Sequence, residues 1–378
     1  MRGADVTQEN LFVTRKTSDY VPADHPLMAI RDILNRALRD MDLTVRVDLR
    51  GARTLLGAAR MAVAWAGTAG AVRDSQRAPV VRATRLQMLY RWFVGLSMDD
   101  AAWDHSTYTK NRDRLIEHEV VRALFGQVMQ QAKEAQLLSD EHFSVDGTLI
   151  RAWASHKSFV PKDGPPPPSA GSRSNPEVDF KGNKRSNETH ASTTDPDAKL
   201  FAKSHKQESI PAYLGHVLME NRSKLAVDTR LTLASGTAEP EAALAMLGAL
   251  PGEQRKSVGA DKNFDTTGFV TACRDRNITP HVAQNAYEYD TKTGKRARRK
   301  SRIDGRTTRH PGYAASQVIR KMIETLFGDG KQHGGTIRQV KLRGRLKVSD
   351  VFTLAMLAVN LRRLPGLLAA QATMVGSG

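Results

Sequence analysis

Two apolar segments four residues apart constrain this chain more than any other feature. Tyr213–Glu220 reads YLGHVLME and Leu225–Ala234 reads LAVDTRLTLA, joined by the turn-like NRSK. Both are rich in residues that fit a pleated surface, and so short a connection makes them most simply an antiparallel hairpin. HFSVDGTLI, from His142 to Ile150, alternates Phe143 and Val145 with polar neighbours and predicts a strand ending near Asp146. KSVGADKNFD predicts a short strand ending at Asp261, and TPHVAQ another. Helical patterns lie between them. SGTAEPEAALAMLGAL offers Ser235 or Thr237 as N-cap and Glu241 as a first-turn carboxylate, and a further helix is expected near 266–276. The second half therefore reads as a separate α/β domain.

The first half reads differently. Residues 25–41 carry a helical stripe through Met28, Ile33, Leu34 and Leu38. From Leu86 the chain shows turn and cap signals at Gly95, Ser97 and Asp104–Ser106, then a long helix to about residue 136. These pieces predict a small helical bundle, whose Lys110, Arg112 and Arg114 either contact phosphates or line a solvated face. Residues 51–84, rich in Ala, Arg and Gly, hold no steady period. Val160–Asp197 is rich in Pro, Ser and Asn and has too little apolar surface to offset its ordering entropy, so an irregular linker is expected.

Charge points to the partner. With 57 Lys and Arg against 40 Asp and Glu, the net charge is +17 and the pI about 10.1, a balance that attracts polyanions, nucleic acid first. A chain of 378 residues, 40% of them hydrophobic, can bury more than one core. No signal-peptide core opens it, and no apolar run is read as approaching the roughly 20 residues that span a bilayer. Cys273 is the sole cysteine, which excludes an intrachain disulfide and any multi-cysteine zinc site. A soluble protein of the reducing cytoplasm is expected.

Against this positive background one glutamate stands out. In YAASQVIRKMIETLFGDGK, Tyr313 to Lys331, apolar residues at Val318, Ile319, Met322, Ile323, Leu326 and Phe327 give one helical face. Glu324 lies four residues after Arg320, seven before Lys331, and just downstream of KTGKRARRKSRIDGR. A carboxylate tolerates such neighbours when a metal ion compensates it while the cations serve phosphates. Phosphodiester chemistry by two metal ions needs carboxylates that hold the pair about 3.5–4 Å apart. Asp146 and Asp261, where two strands run out, and Glu324, on a helix packing over them, are candidates to converge. Each also has a plainer reading: Asp146–Gly147 as a turn, Asp261 as an N-cap, Glu324 as a surface salt bridge with Arg320.

These residues resemble those of the DDE transposases of bacterial insertion sequences, specifically the IS-five family. That family's catalytic helix has Arg, three residues, Glu, six residues, Lys, as do Arg320, Glu324 and Lys331. SVDGTLIRAWASHKSF is similar to its first-aspartate strand and GADKNFDT to its second. LYRWFVGLSMDDAAWDHSTYTKNRDRL, KRSNETHASTTDPDAKL and YLGHVLMENR are similar as well, so the likeness runs from Leu89 to about Ala369, with a weaker stretch at 12–41. Gln317 stands where the wider pattern often has Tyr, and YEYDTKTGKRARRK looks inserted.

The resemblance implies an RNase H-like mixed five-stranded sheet with flanking helices, an α/β fold, preceded by a helical DNA-end-recognition domain over 1–137. The catalytic domain would cover 138–370, with the irregular linker at 160–197, a basic insertion at 284–312 and a tail at 371–378. Asp146 would lie on the first strand, Asp261 just after the fourth and Glu324 on the helix after the fifth. Together they would ligate two Mg²⁺ ions, with Mn²⁺ able to substitute. Double-stranded DNA, as terminal inverted repeats and target, would be bound by a homodimer. One site would cleave transposon ends and then join the liberated 3′-hydroxyl to target DNA. Arg320 and Lys331 would hold phosphates, with further contacts from Arg296, Arg298 and Arg299 of the insertion and from Lys110 and Arg112. A DNA-binding protein without chemistry, as a defective copy, and a stand-alone RNase H-like nuclease are the alternatives.

One stretch departs from the family. Where members carry a stretch resembling RSERQL, this chain has SQRAPV, Ser75 to Val80. The codons TCG-CAG-CGA-GCG-CCA-GTT, followed by G, encode the one in one frame and the other a base later. A compensated frameshift or a sequencing error over about 51–87 is the expectation, leaving those residues without a consistent buried face.

Overall fold

The structure, a computed structural model, describes residues 15–42, 63, 87–102, 104–117, 119–162, 164, 186–202, 207–289, 296–332 and 337–376. Apart from Val63, the anomalous stretch 51–84 and the expectation about its packing fall outside them.

Ten strands are described: β1 (His142–Arg151), β2 (Phe159–Pro161), β3 (His190–Ser192), β4 (Lys199–Phe201), β5 (Ile210–Glu220), β6 (Ala226–Leu233), β7 (Lys256–Ala260), β8 (Ile278–Val282), β9 (Tyr287–Tyr289) and β10 (Arg296–Arg298). The main sheet runs β6, β5, β1, β7, β8. β1, β7 and β8 are parallel, while β5 and β6 are antiparallel to their neighbours. This is the expected mixed five-stranded sheet, with short β4 added on β5 beyond the end of β6. Every residue of β7 and all but the first of β5 are buried, because helices cover both faces of the parallel part.

The helices are α1 (Pro26–Asp42), α2 (Met88–Val94), α3 (His105–Glu117), α4 (Val120–Glu134), α5 (Ala238–Gly248), α6 (Thr267–Asp275), α7 (Gly305–Arg309), α8 (Pro311–Ile319), α9 (Ile323–Gln332) and α10 (Arg345–Gly376). α5 and α6 carry the chain from β6 to β7 and from β7 to β8. They cover the face bearing Phe143, Val145, Val258 and Ala260, and Cys273 is buried there, its thiol pushed up to about 12 by burial. The opposite face is covered by α10, whose Val348, Phe352 and Met356 share a cluster with Ile150, Val217, Ile323 and Leu326. Leu34 of α1 and Leu124 of α4 belong to that same cluster, so the helical region and the sheet bury one continuous core.

Several expectations are corrected. β1 does not end near Asp146 but continues to Arg151, since Asp146 and Gly147 pair in register with Val217 and His216. Asp146–Gly147 is therefore not a turn. Its glycine faces the side chains of Glu239 and His216: a Cβ there would lie 2.8 Å from Glu239 Oε1, at the end of a side chain that can move, and 3.2 Å from His216 Nδ1. The long helix to residue 136 is two helices, α3 and α4, divided where Glu119 takes φ 53. The helix over Tyr313–Lys331 is likewise divided, into α8 and α9, by a 3-10 turn at Arg320–Met322. Val318, assigned to its buried stripe, is 69% exposed.

Within the supposed linker 160–197, the described residues make defined contacts. Ser158 and Ser192 bond across β2 and β3 at 2.7 Å. Buried Asp195 accepts from the Tyr213 hydroxyl at 2.8 Å and from Gly344 N at 3.1 Å, and Asp197 accepts from Arg345 N at 2.8 Å. This tract docks the start of α10. That helix is also a correction: by length and composition it could cross a membrane, and 67% of its apolar window is buried inside the molecule.

Candidate functional site

The site is set by the register of β1 on β7. Ser144 is the Cα partner of Gly259, the last pairing of the two parallel strands. Two residues further along each chain stand Asp146 and Asp261, so alternation puts both on one face at one level. It is the face opposite Phe143, Val145, Val258 and Ala260, the one over which the chain returns in α8, α9 and α10. Both aspartates are half-buried. Asp146 Oδ1 accepts from Gly147 N at 2.7 Å, and Asp261 Oδ1 accepts from Lys262 N at 2.7 Å while capping a 3-10 turn at Lys262–Phe264.

Gly259 lets the returning chain come close. A Cβ there would stand 3.2 Å from Ser144 Oγ, 3.3 Å from Arg320 Cβ and 3.4 Å from Ser316 O, so the end of α8 lies directly on β7. Three side chains of α8 fasten it to the end of β8. Ser316 Oγ and His281 Nδ1 are 2.7 Å apart, the Tyr313 hydroxyl donates to Val282 O at 3.0 Å, and Gln317 Nε2 donates to His281 O at 2.6 Å. Burial, aided by the charges of His310, His142 and Arg255, lowers the His281 pKa to about 4, so this imidazole is neutral at pH 7. Gln317 Oε1 also accepts from Arg320 Nε at 2.9 Å, which aims the guanidinium at Asp261, 3.8 Å away. Gln317 is the residue that stands where the wider family pattern often has Tyr.

Of the three candidate acids, two stand at matching positions just past the last β1–β7 pairing. Glu324 is exposed, the second residue of α9, and α9 and the turn before it pack on β1. Among the described residues no group of three His, Cys, Asp or Glu side chains lies close enough to hold a metal ion, so in this conformation Glu324 is not gathered with the aspartates. Among those residues no ion pair joins it to Arg320 either, which turns to Asp261 instead. Two carboxylates on one face are hard oxygen donors suited to Mg²⁺ or Mn²⁺, and they fit a metal site short of its third acid.

The candidate cations separate into two kinds. Lys110 and Arg298 are exposed, and Lys331 is half-buried in the last turn of α9. The side chain of Arg296 is not described. Arg112 is buried and donates to Asp113 Oδ1 at 2.7 Å, so the expectation that it meets phosphate is corrected. Arg299 is corrected as well. Its side chain is 18% exposed, pairs with the fully buried Asp265 at 3.3 Å, and donates to the Asp265 and Asn285 carbonyls. Asp265 was missed because nothing local marks it.

Residues 138–361 match the family described as Transposase DDE domain, and residues 15–114 match that described as Transposase domain (DUF772). No curated protein matches the chain. Among solved structures it is similar to one titled cryo-EM structure of piggyBac transposase synaptic complex with hairpin DNA. The identity is 10%, the TM-score 0.37, and the alignment covers 90% of this chain and 76% of that one.

Proposed function

This chain belongs to the Transposase DDE domain family, and from that premise we propose that it cuts DNA at the ends of an insertion sequence of the IS-five kind and joins the freed 3′-hydroxyl to target DNA. The observation that carries the reading is the common face and level of Asp146 and Asp261 beneath Arg320. Asp146 and Asp261 would hold the divalent ions, with Glu324, on α9 just after the turn at Arg320–Met322, as the third acid. When bound, a pair of Mg²⁺ or Mn²⁺ ions polarises the attacking and leaving oxygens. Arg320, which stands beside Asp261, steadies the scissile phosphate, and Lys331 holds the strand beside it.

Cleavage and joining both displace one oxygen from phosphorus by another, so exchanging water for a 3′-hydroxyl needs no new protein group. The helical region over 1–137 recognises the ends, and a homodimer brings two ends together. Double-stranded DNA as partner is supported by the +17 charge. The test is a nicking assay on duplexes carrying the inverted repeats that flank the coding DNA. Nicks at the repeat boundary that require Mg²⁺ or Mn²⁺ are expected. Binding that persists without any cleavage would make this a non-catalytic DNA-binding protein, and cleavage confined to RNA–DNA hybrids would make it a nuclease of RNase H type.

A further inference from the structure

Between β8 and α7 the chain leaves the sheet to form a small two-stranded ribbon, β9 and β10, with Tyr287 opposite Arg298 and Tyr289 opposite Arg296. Tyr287 is 48% exposed and Arg298 is exposed, so the described part of the ribbon shows solvent an aromatic ring beside a guanidinium. A β-ribbon of this chemistry suits a nucleic-acid groove. Both ends of the ribbon are tied to one buried carboxylate. Asp265 accepts from Asn285 N at 2.8 Å on the incoming side and from Arg302 N at 2.8 Å on the outgoing side, and it pairs with Arg299 at 3.3 Å. Arg299 in turn closes the ribbon's root by donating to Asn285 O at 3.0 Å, with its own N–H on Ala286 O at 3.0 Å.

Asp265 is one turn of chain from Asp261. Phe264 N donates to Asp261 O at 3.0 Å and Asp265 N to Lys262 O at 3.1 Å, so the turn that presents the Asp261 carboxylate ends on the residue that anchors the ribbon. Asp265 has no exposed side chain surface, and a buried charge of this sort is held only by full partnership. Displacing the ribbon root therefore displaces the turn.

We infer that Asp265 and Arg299 form a positioning clamp through which engagement of DNA by the β9–β10 ribbon fixes the turn bearing Asp261. The inference rests on the transposase reading in taking DNA as the ligand, but not on cleavage. Arg298 is then a DNA contact and Arg299 is not.

The experiment is hydrogen exchange of the 261–265 amides in the full chain, without divalent metal, free and saturated with an arbitrary DNA duplex at low salt. DNA should slow exchange of these amides roughly tenfold in the native protein. Arg298→Ala should weaken DNA binding and lower its salt slope by about 1, while at saturation the slowing persists. Arg299→Lys should bind DNA within about threefold of the native affinity, because it removes no phosphate contact, yet lose the slowing. Replacing 287–298 by Gly-Gly leaves the clamp intact and should abolish the slowing as well. No slowing in the native protein, or slowing that survives Arg299→Lys or the shortened loop, would overturn the inference. Failure of the transposase reading shows separately, in the nicking assay.

Discussion

The guanidinium of Arg320 stands 3.8 Å from the Asp261 carboxylate, with its Nε fixed on Gln317 Oε1 at 2.9 Å. In this conformation the cation serves Asp261, and in the proposed reaction it would serve phosphate. The pair is long and partly solvated, so its loss should alter stability by no more than about 1 kcal/mol. Arg320→Ala should nonetheless slow single-turnover cleavage by roughly 10²–10³, the usual effect of removing one preorganised donor. Urea unfolding and single-turnover rates measured on the same preparation check both halves. A stability loss of several kcal/mol with an unchanged rate would reassign Arg320 to structure.

Gly259 is the close-approach point of α8 on β7. Gly259→Ala places a methyl 3.2 Å from Ser144 Oγ and 3.3 Å from Arg320 Cβ, so these neighbours must give by a few tenths of an ångström. A loss of about 1–3 kcal/mol is expected from overpacking, with a fall in cleavage rate as Arg320 is carried off Asp261. Gly236→Ala is the control, since nothing lies within 4 Å of its added carbon. Thermal or urea melts of the two variants side by side decide it, and equal effects would show that the Gly259 contact is slack.

His216 is 1% exposed, its Nε2 is 2.8 Å from Thr232 Oγ1, and its Nδ1 has no hydrogen-bond partner among the described residues. Burial lowers its pKa from 6.5 to about 4. As pH falls, the unfolded chain therefore takes up the proton first. The stability this neutral histidine secures is complete above about pH 6.5 and is lost as pH drops toward 4. Between pH 7.5 and pH 5 the native protein should lose about 2 kcal/mol on this account, a loss absent from His216→Gln. Urea titrations of both proteins at the two pH values measure the difference. An identical pH dependence would mean that the imidazole finds a partner for its proton inside.

Much of this fold is written locally. The β5–β6 hairpin, the strand ending before Asp261 and helices α1, α5 and α6 follow from period, caps and a short turn. Other features depend on contacts that no window of sequence contains. Asp146–Gly147 has turn chemistry but is held in mid-strand by pairing with Val217 and His216. The break at Arg320–Met322 lies within an unbroken helical period. α10 was passed over because Val351–Leu361 is buried on every side, which leaves no amphipathic stripe to read. At the site, the spacing of Arg320, Glu324 and Lys331 assumed one regular helix, whereas Arg320 lies in the 3-10 turn and the other two on α9. Charge alone could not separate solvated Arg298 from clamped Arg299 or buried Arg112. Gln317 and Asp265 gain their roles only from partners on other elements.

The central claim is that Asp146, Asp261 and Glu324 act together on DNA, although only the two aspartates stand at matching register positions in this conformation. It is tested most directly by comparing native protein with Asp146→Asn, Asp261→Asn and Glu324→Gln, measuring Mn²⁺-dependent cleavage of the element's ends and DNA affinity in parallel. The account predicts that each substitution abolishes cleavage and leaves affinity within about threefold, because affinity comes from Lys and Arg on phosphates. Cleavage that survives Glu324→Gln would remove that residue from the site, and affinity that falls in step with cleavage would make the acids structural.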